Sequence, residues 1–247
     1  MSERMLVVLL KGTVDEEPDD KKDKERYMRA LPEFQCTLVP VLKFEAVQSE
    51  VNRLENAVFD SVLITSPRGL WALLKCASEG LKQRVADVPW FVVGEASRDA
   101  VIHNLGVQDV QGSDTGSAEK FVEKIKANSI QPRNVAYLCS NLRRSTMSDG
   151  LRQNGVLFEE FEVYRTVPYE EAAIPPVAPT IRRVCVFFSP SGVKAVSSQI
   201  KSDDIVVAIG QTTATALQEF KIKLTAIAES PSPEGLHRAL LQAVELG

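Results

Sequence analysis

Only two histidines, His103 and His237, occur in the 247 residues. Both fall in stretches whose spacing predicts helix. A histidine-rich metal centre is therefore excluded, and a Ser/His/Asp triad would have to use one of the two. Cysteine is also sparse. Cys36, Cys76, Cys139 and Cys185 stand 40, 63 and 46 residues apart. No CxxC and no Cys/His ligand spacing exists, so no zinc site is expected. Scattered cysteines in apolar settings read as reduced core residues of a cytosolic protein. Long apolar runs are missing too. The longest, residues 5–10 and 184–188, fall well short of the ~20 apolar residues of a membrane helix. The first is followed by Lys11 and an acidic stretch instead of a small-residue cleavage site, so no signal peptide is expected. An excess of basic residues is absent as well: 29 Lys and Arg face 33 Asp and Glu, a net charge of −4. That argues against a nucleic-acid partner. It leaves room for an anionic small molecule, because a cleft on an acidic protein can be locally positive. Neither a P-loop nor GxGxxG is present, so no nucleotide cofactor is expected.

What the chain does have is a regular alternation. Hydrophobic residues make up 44% of it, enough for one large domain or two modest ones. MLVVLLK (5–11), SVLITS (61–66), WFVVG (90–94), VAYLCS (135–140), VCVFFS (184–189) and IVVAIG (205–210) are almost continuously apolar. Such runs predict strands of a parallel sheet buried on both faces. Amphipathic helical patterns lie between them, which predicts a doubly wound α/β architecture. The acidic and basic stretch 15–26 reads as the solvated start of a helix. Residues 168–180, rich in proline, read as a linker.

The chain also repeats itself. DSVLITSPRGLWALL (60–74) reads like RRVCVFFSPSGVKAV (182–196), and WFVVGEASRDAVIHNLGV (90–107) like VVAIGQTTATALQEFKI (206–222). GSDTGSAEKFVEKI (112–125) reads like AESPSPEGLHRALL (228–241). The offsets are 123 from Ser66 to Ser189, 116 from Gly94 to Gly210, and 115 from Ser117 to Ser232. Near-constant offsets over three consecutive blocks mark a duplicated unit. The strand–helix–strand at the N-terminus matches residues 135–168, yet its continuation lies at the C-terminus. This predicts two similar lobes with interleaved chain: 1–37 with 169–247, and 47–161. Two extended crossings, 38–46 and 162–168, join them as a possible two-stranded ribbon.

Ligands of open parallel sheets bind beyond the carboxyl ends of the strands. Here those ends repeat one pattern, a hydroxyl or small residue opening a helix: Thr65 and Ser66, Gly94 to Ser97, Ser189 and Pro190, Gly210 to Thr213. Capping explains each one singly. Thr115 to Ser117 and Ser230 to Glu234 add two more, and as a set up to six helix starts with unpaired N–H groups would suit a ligand carrying many carboxylates or phosphates, if both lobes face a common cleft. Ser140 and Asn141, followed by Arg143 and Arg144, add polar and guanidinium donors at another strand end.

The blocks FFSPSGVKAV, VVAIGQTTATAL and AESPSPEGL, with LITSPRG, LCSNLRR and VYRTV before them, resemble the uroporphyrinogen-III synthase family over nearly the whole chain. The resemblance implies a two-lobed interleaved α/β fold joined by a two-stranded ladder. It implies a hydro-lyase that cyclises the linear tetrapyrrole hydroxymethylbilane, inverting ring D and losing water. No metal or organic cofactor, a cytoplasmic location, and a monomer without nucleic-acid or membrane partners go with it. Tyr164, in VYRTV, matches the family tyrosine and becomes the candidate catalytic proton donor. Thr65, Ser66, Ser97, Ser140, Asn141, Ser189, Thr212 and Thr213 become candidate substrate-binding residues. Ser97 stands where family members often carry threonine, and Gln211 where proline is frequent. The competing readings are a two-lobed module that binds or senses a small anion without catalysis, and a two-lobed glycosyltransferase-like enzyme.

Overall fold

A computed structural model of the chain describes residues 4–12 and 26–246. The acidic stretch read as a solvated helix start falls outside them, apart from Arg26. Two compact units emerge, residues 1–44 with 167–247 and residues 45–166. Each is built on its own sheet.

The first sheet has the order β11-β10-β9-β1-β2. Its strands are β1 (Arg4–Lys11), β2 (Gln35–Pro40), β9 (Ile181–Phe187), β10 (Ile205–Ala208) and β11 (Ala226–Ile227). All neighbours in it are parallel. The second sheet has the order β3-β8-β7-β4-β5-β6. It comprises β3 (Leu42–Ala46), β4 (Ser61–Ile64), β5 (Trp90–Val92), β6 (Val110–Gln111), β7 (Asn134–Ser140) and β8 (Leu157–Pro168). Its β4–β5, β4–β7, β5–β6 and β7–β8 pairs are parallel. Reading the second order backwards, β6-β5-β4-β7-β8 corresponds strand for strand to β11-β10-β9-β1-β2, with β3 added at the edge. The sequence repeat is thus a repeat of topology.

The apolar runs form strands because both sheet faces are covered. Side chains alternate across a strand. Val8, Leu10, Cys185, Phe187, Val206 and Ala208 pack on one face of the first sheet, with Val193, Ala214 and Leu217 from helices Pro190–Val196 and Gln211–Glu219. Val7, Leu9, Val184, Val186, Ile205 and Val207 fill the other face, against Leu236, Ala239, Leu240 and Ala243 of helix Pro233–Leu246. In the second unit Leu63, Phe91, Val135, Tyr137 and Cys139 meet Phe121, Val122, Ile125, Met147 and Leu151. These last belong to helices Ala118–Lys126 and Ser145–Gln153. Val62, Ile64, Trp90, Val92, Ala136 and Leu138, of the opposite parity, are also buried.

The proline-rich segment 168–180 does more than link. Ala172 and Ile174 enter the core of the first unit. Gln199 clamps the segment, donating to the Ala172 carbonyl at 2.8 Å and accepting from the Ile174 N–H at 2.8 Å. Arg183 donates to the Pro175 carbonyl at 3.0 Å. Arg183 itself is only 4% exposed. Its fork meets both carboxylate oxygens of Asp204, at 2.8 and 2.7 Å.

All four cysteines are free thiols. Burial pushes Cys139 and Cys185 up to about 12 and Cys36 to about 11. Burial raises Cys76 as well, with Lys75 pulling the other way. Thiolate is the reactive form. Alkylation of the folded protein at pH 8 is therefore expected to mark Cys76 first and Cys36 more slowly, with Cys139 and Cys185 labelled only after denaturation. Peptide mass spectrometry over a time course checks this, and prompt labelling of Cys139 in folded protein contradicts it.

Candidate functional site

A doubly wound sheet has a crevice where its chain order reverses, and ligands gather at its carboxyl edge. In the second unit that reversal lies between β4 and β7, which pair in register from Ser61 opposite Val135 to Ile64 opposite Leu138. The two strand ends therefore deliver Thr65 and Ser66 beside Ser140 and Asn141. Helix Pro67–Cys76 opens here with Ser66 as its cap, whose Oγ accepts from the Arg68 N–H at 3.3 Å, and with Pro67 in its first turn. Gly69 lets this helix sit close: a Cβ there would lie 3.0 Å from Ile64 Cγ2 and 3.3 Å from the Leu138 carbonyl.

Ser140 Oγ accepts from the Leu142 N–H at 3.1 Å. Asn141 staples the end of β7 to β8. Its Nδ2 donates to the Thr166 carbonyl at 3.2 Å, and its Oδ1 accepts from the Thr166 N–H at 2.9 Å. Tyr164 joins this group through an irregularity in pairing. Leu138 stands opposite Phe161, yet Ser140 stands opposite Tyr164, so β8 holds one extra residue between them. Such a bulge re-aims the side chains that follow it. It puts Tyr164 where an unbroken ladder would put Val163. Tyr164 is 8% exposed.

The remaining candidates stand on other elements. Ser97, in helix Glu95–Leu105, is buried and its Oγ donates to the Val93 carbonyl at 3.0 Å. In the first unit Ser189 caps helix Pro190–Val196, accepting from the Gly192 N–H at 3.1 Å. Thr212 and Thr213 follow β10, the strand next to β9. Thr212 is exposed, whereas Thr213 is buried. The hydroxyls differ in chemistry. Ser66, Ser140 and Ser189 accept a backbone N–H, which leaves each its own proton to donate. Ser97 has spent its proton on a carbonyl.

Arg143 offers less to a ligand than the sequence suggests. Its Nε and Nη2 meet Glu160 Oε2 at 2.7 and 2.6 Å, and its Nη1 lies 3.5 Å from Glu162 Oε2. Burial pulls the guanidinium down, but the two glutamates more than offset this and it stays above its ordinary value. Ser148 donates to the other Glu160 oxygen. These acids come from β8, seventeen and nineteen residues further along the chain.

Two residues escaped the sequence reading, Glu160 and Tyr137. Tyr137 lies in the apolar run of β7 and is 2% exposed. Burial is the main cause that pushes its phenol up to about 12. The signal was one phenol in an otherwise apolar strand. Among the described residues no group of three His, Cys, Asp or Glu could hold a metal ion. No helix among them is long and apolar enough to cross a membrane. A cavity of about 390 Å³ also exists, lined by Asp60, Phe91, Gln111 and Arg133 among others. It opens at the amino ends of the strands of the second unit, away from the crevice.

A family model described as Uroporphyrinogen-III synthase HemD matches residues 26–238. The chloroplastic uroporphyrinogen-III synthase of Oryza sativa subsp. japonica is 29% identical over 208 residues. That alignment takes in 77% of this chain and 66% of the rice protein, so the chain spans just under two thirds of that relative's length. Among solved structures, uroporphyrinogen-III synthetase from Helicobacter pylori superposes with a TM-score of 0.62 at 17% identity, covering 99% of this chain and 100% of that one. A mutant uroporphyrinogen III synthase from Thermus thermophilus gives 0.54 at 17% identity, covering 98% and 99%. These two likenesses concern the fold.

Proposed function

Because this chain belongs to the uroporphyrinogen-III synthase family, we propose that it closes hydroxymethylbilane into uroporphyrinogen III, inverting ring D and releasing water. The observation that carries this reading is the register of β4 and β7, whose adjacent ends lead into Thr65 and Ser66 and into Ser140 and Asn141, together with the bulge in β8 that sets Tyr164 opposite Ser140. The substrate is a polyanion. Hydroxyl donors and helix starts are the groups that receive carboxylates.

The chemistry asks little of the protein. The lone pair of a pyrrole nitrogen expels the hydroxyl of the hydroxymethyl group, leaving an electrophilic azafulvene. Tyr164 gives its proton to the departing hydroxyl, which leaves as water. The substituted α-carbon of ring D then attacks this methylene, giving a quaternary spiro centre. Its older bond to the ring C methylene breaks to leave a second azafulvene. The unsubstituted α-carbon of ring D attacks that methylene, and the proton it loses on rearomatisation restores the phenol. Protonating the leaving group is general acid catalysis. Holding the chain so that the substituted carbon attacks is catalysis by position. Thr65, Ser66, Ser140, Asn141, Ser189 and Thr212 bind substrate in this reading. Ser97 and Thr213 are both buried, and Ser97 gives its proton to the Val93 carbonyl. The proposed compartment is the cytoplasm, in keeping with four unpaired thiols.

The test is incubation with enzymatically generated hydroxymethylbilane, followed by chromatographic separation of the isomers. The expected product is type III, well above the uninverted type I that unassisted closure gives. An isomer pattern equal to the no-enzyme control would leave a module that binds anions without catalysis.

A further inference from the structure

Arg143 ties the end of β7 to β8 across the irregularity in that strand. Its Nη1 and its backbone N–H both donate to the Ser140 carbonyl, at 3.2 Å each. Its Nε and Nη2 hold Glu160 Oε2, and its Nη1 lies 3.5 Å from Glu162 Oε2. The two glutamates differ in place. Glu160 belongs to the regular part of the ladder, opposite Tyr137. Glu162 lies within the bulge: it and Val163 fill the stretch between Phe161 and Tyr164, where β7 has Cys139 alone. Glu162 has further anchors. Its other carboxylate oxygen accepts from Arg165 Nε at 2.7 Å, and its N–H donates to Glu50 Oε2 at 3.3 Å.

We propose that Arg143 is a positioning residue for Tyr164: bound at once to Ser140 on β7 and to Glu160 and Glu162 on β8, it holds the bulge in the register that sets Tyr164 opposite Ser140. A bulge interrupts the ladder where it occurs, so side chains must hold the strand there. Because side chains alternate along a strand, a slip of one residue in β8 would bring Val163 to Ser140 and turn the phenol to the other face. Arginine suits the task. Its rigid planar fork presents donors in several directions at once, where an ammonium is a compact point charge. Removing Arg143 strands neither acid, since Glu160 keeps the Ser148 hydroxyl and Glu162 keeps Arg165. Arg143 donates no proton in the reaction and acts through Tyr164. The inference rests on the proposed donor role of Tyr164.

The test compares wild type, Arg143→Met, Arg143→Lys, Tyr164→Phe and the double variant of Arg143→Met with Tyr164→Phe. Two readouts are taken: kcat with hydroxymethylbilane, per folded molecule, and amide hydrogen exchange of the peptide spanning residues 161–166. A donor misplaced by 1 Å can cost about 10²-fold. A donor that is only loosened should cost less, so Arg143→Met is expected to lower kcat about threefold to tenfold. Exchange in 161–166 should quicken while the peptide of β4 keeps its wild-type rate. Arg143→Lys should fall between the two. In the Tyr164→Phe background Arg143→Met should lower kcat no further, because its effect passes through the phenol. A residue that merely braces the fold would lower Tm and leave kcat per folded molecule alone. Wild-type kcat in folded Arg143→Met overturns the proposal, and so does a further fall in the double variant. If Arg143→Met does not fold, Arg143→Lys decides, and wild-type kcat and exchange in it overturn the proposal. Should Tyr164→Phe keep full kcat, the donor role falls by itself. Exchange then decides alone: faster exchange upholds Arg143 as the lock of the bulge, and an unchanged rate overturns it.

Discussion

Tyr164→Phe is expected to lower kcat roughly tenfold to hundredfold while the isomer ratio stays at type III and Tm moves little. The size follows from the chemistry. A positioned general acid contributes typically about 10²–10⁴-fold. Here the pyrrole lone pair already drives the hydroxyl out, so the lower end applies. Phenylalanine keeps the ring that fills the site and deletes one hydroxyl. Because positioning is untouched, fidelity should survive. Tyr164→Ala is the contrasting variant. Tyr164 is 8% exposed, and removing a buried aromatic side chain costs about 3–5 kcal/mol. A fall in Tm is therefore expected there. Measuring kcat, Tm and isomer ratio on both variants separates proton donation from packing. Full kcat in folded Tyr164→Phe would end the donor role and leave Tyr164 as a ribbon residue.

A second large loss of stability is expected in the first unit, at Asp204. Its side chain and that of Arg183 are 4% and 3% exposed, and they are joined by two charge-assisted hydrogen bonds. Asp204 also accepts from the Lys201 N–H at 2.7 Å, and Arg183 reaches the Gln199 carbonyl at 3.4 Å. The pair joins the starts of β9 and β10 to the proline-rich segment. Asp204→Ala strands a guanidinium in a dry site, which costs about 3–5 kcal/mol. For a protein of this size that is a fall in Tm on the order of 10 °C. Replacing both partners, Arg183→Met with Asp204→Leu, should recover much of the loss, because two apolar groups leave no charge unpaired. Urea denaturation of the three proteins measures it. A loss below about 1 kcal/mol in Asp204→Ala would show that water reaches Arg183.

The strands were legible because strands covered on both faces are nearly continuous apolar runs, and every such run became one. The Ser-Pro helix starts were legible for a local reason, the fit of serine to the cap and of proline to the first turn. Strands β6 and β11 were not, since two residues carry no periodicity. The bulge in β8 was equally hidden. Nothing in FEEFEVYR distinguishes a regular ladder from one with an extra residue, yet that residue decides that Tyr164 faces Ser140. At the site, residue type was readable and environment was not. Ser97 and Thr213 hold the same place in the repeat, 116 residues apart, and the packing buries both, whereas Thr212 next to the second is exposed. Arg143 reads as a free cation until Glu160 and Glu162 arrive from the neighbouring strand.

The interleaving also has a consequence in time. The second unit is one continuous stretch, residues 45–166, and can close as soon as it leaves the ribosome. The first unit cannot. Strand β1 ends at Lys11, but its partner β9 begins only at Ile181, 170 residues later. At about 5–20 residues per second that interval lasts roughly 10–30 s. Throughout it, Val7 to Leu10 have a neighbour on one side only and no strand on the other. A nascent chain halted in that window carries an unpaired apolar edge, the template for association with other chains, beside a finished second unit. The vulnerable form of this protein is thus an interrupted one, and its last third is what makes its first strand safe.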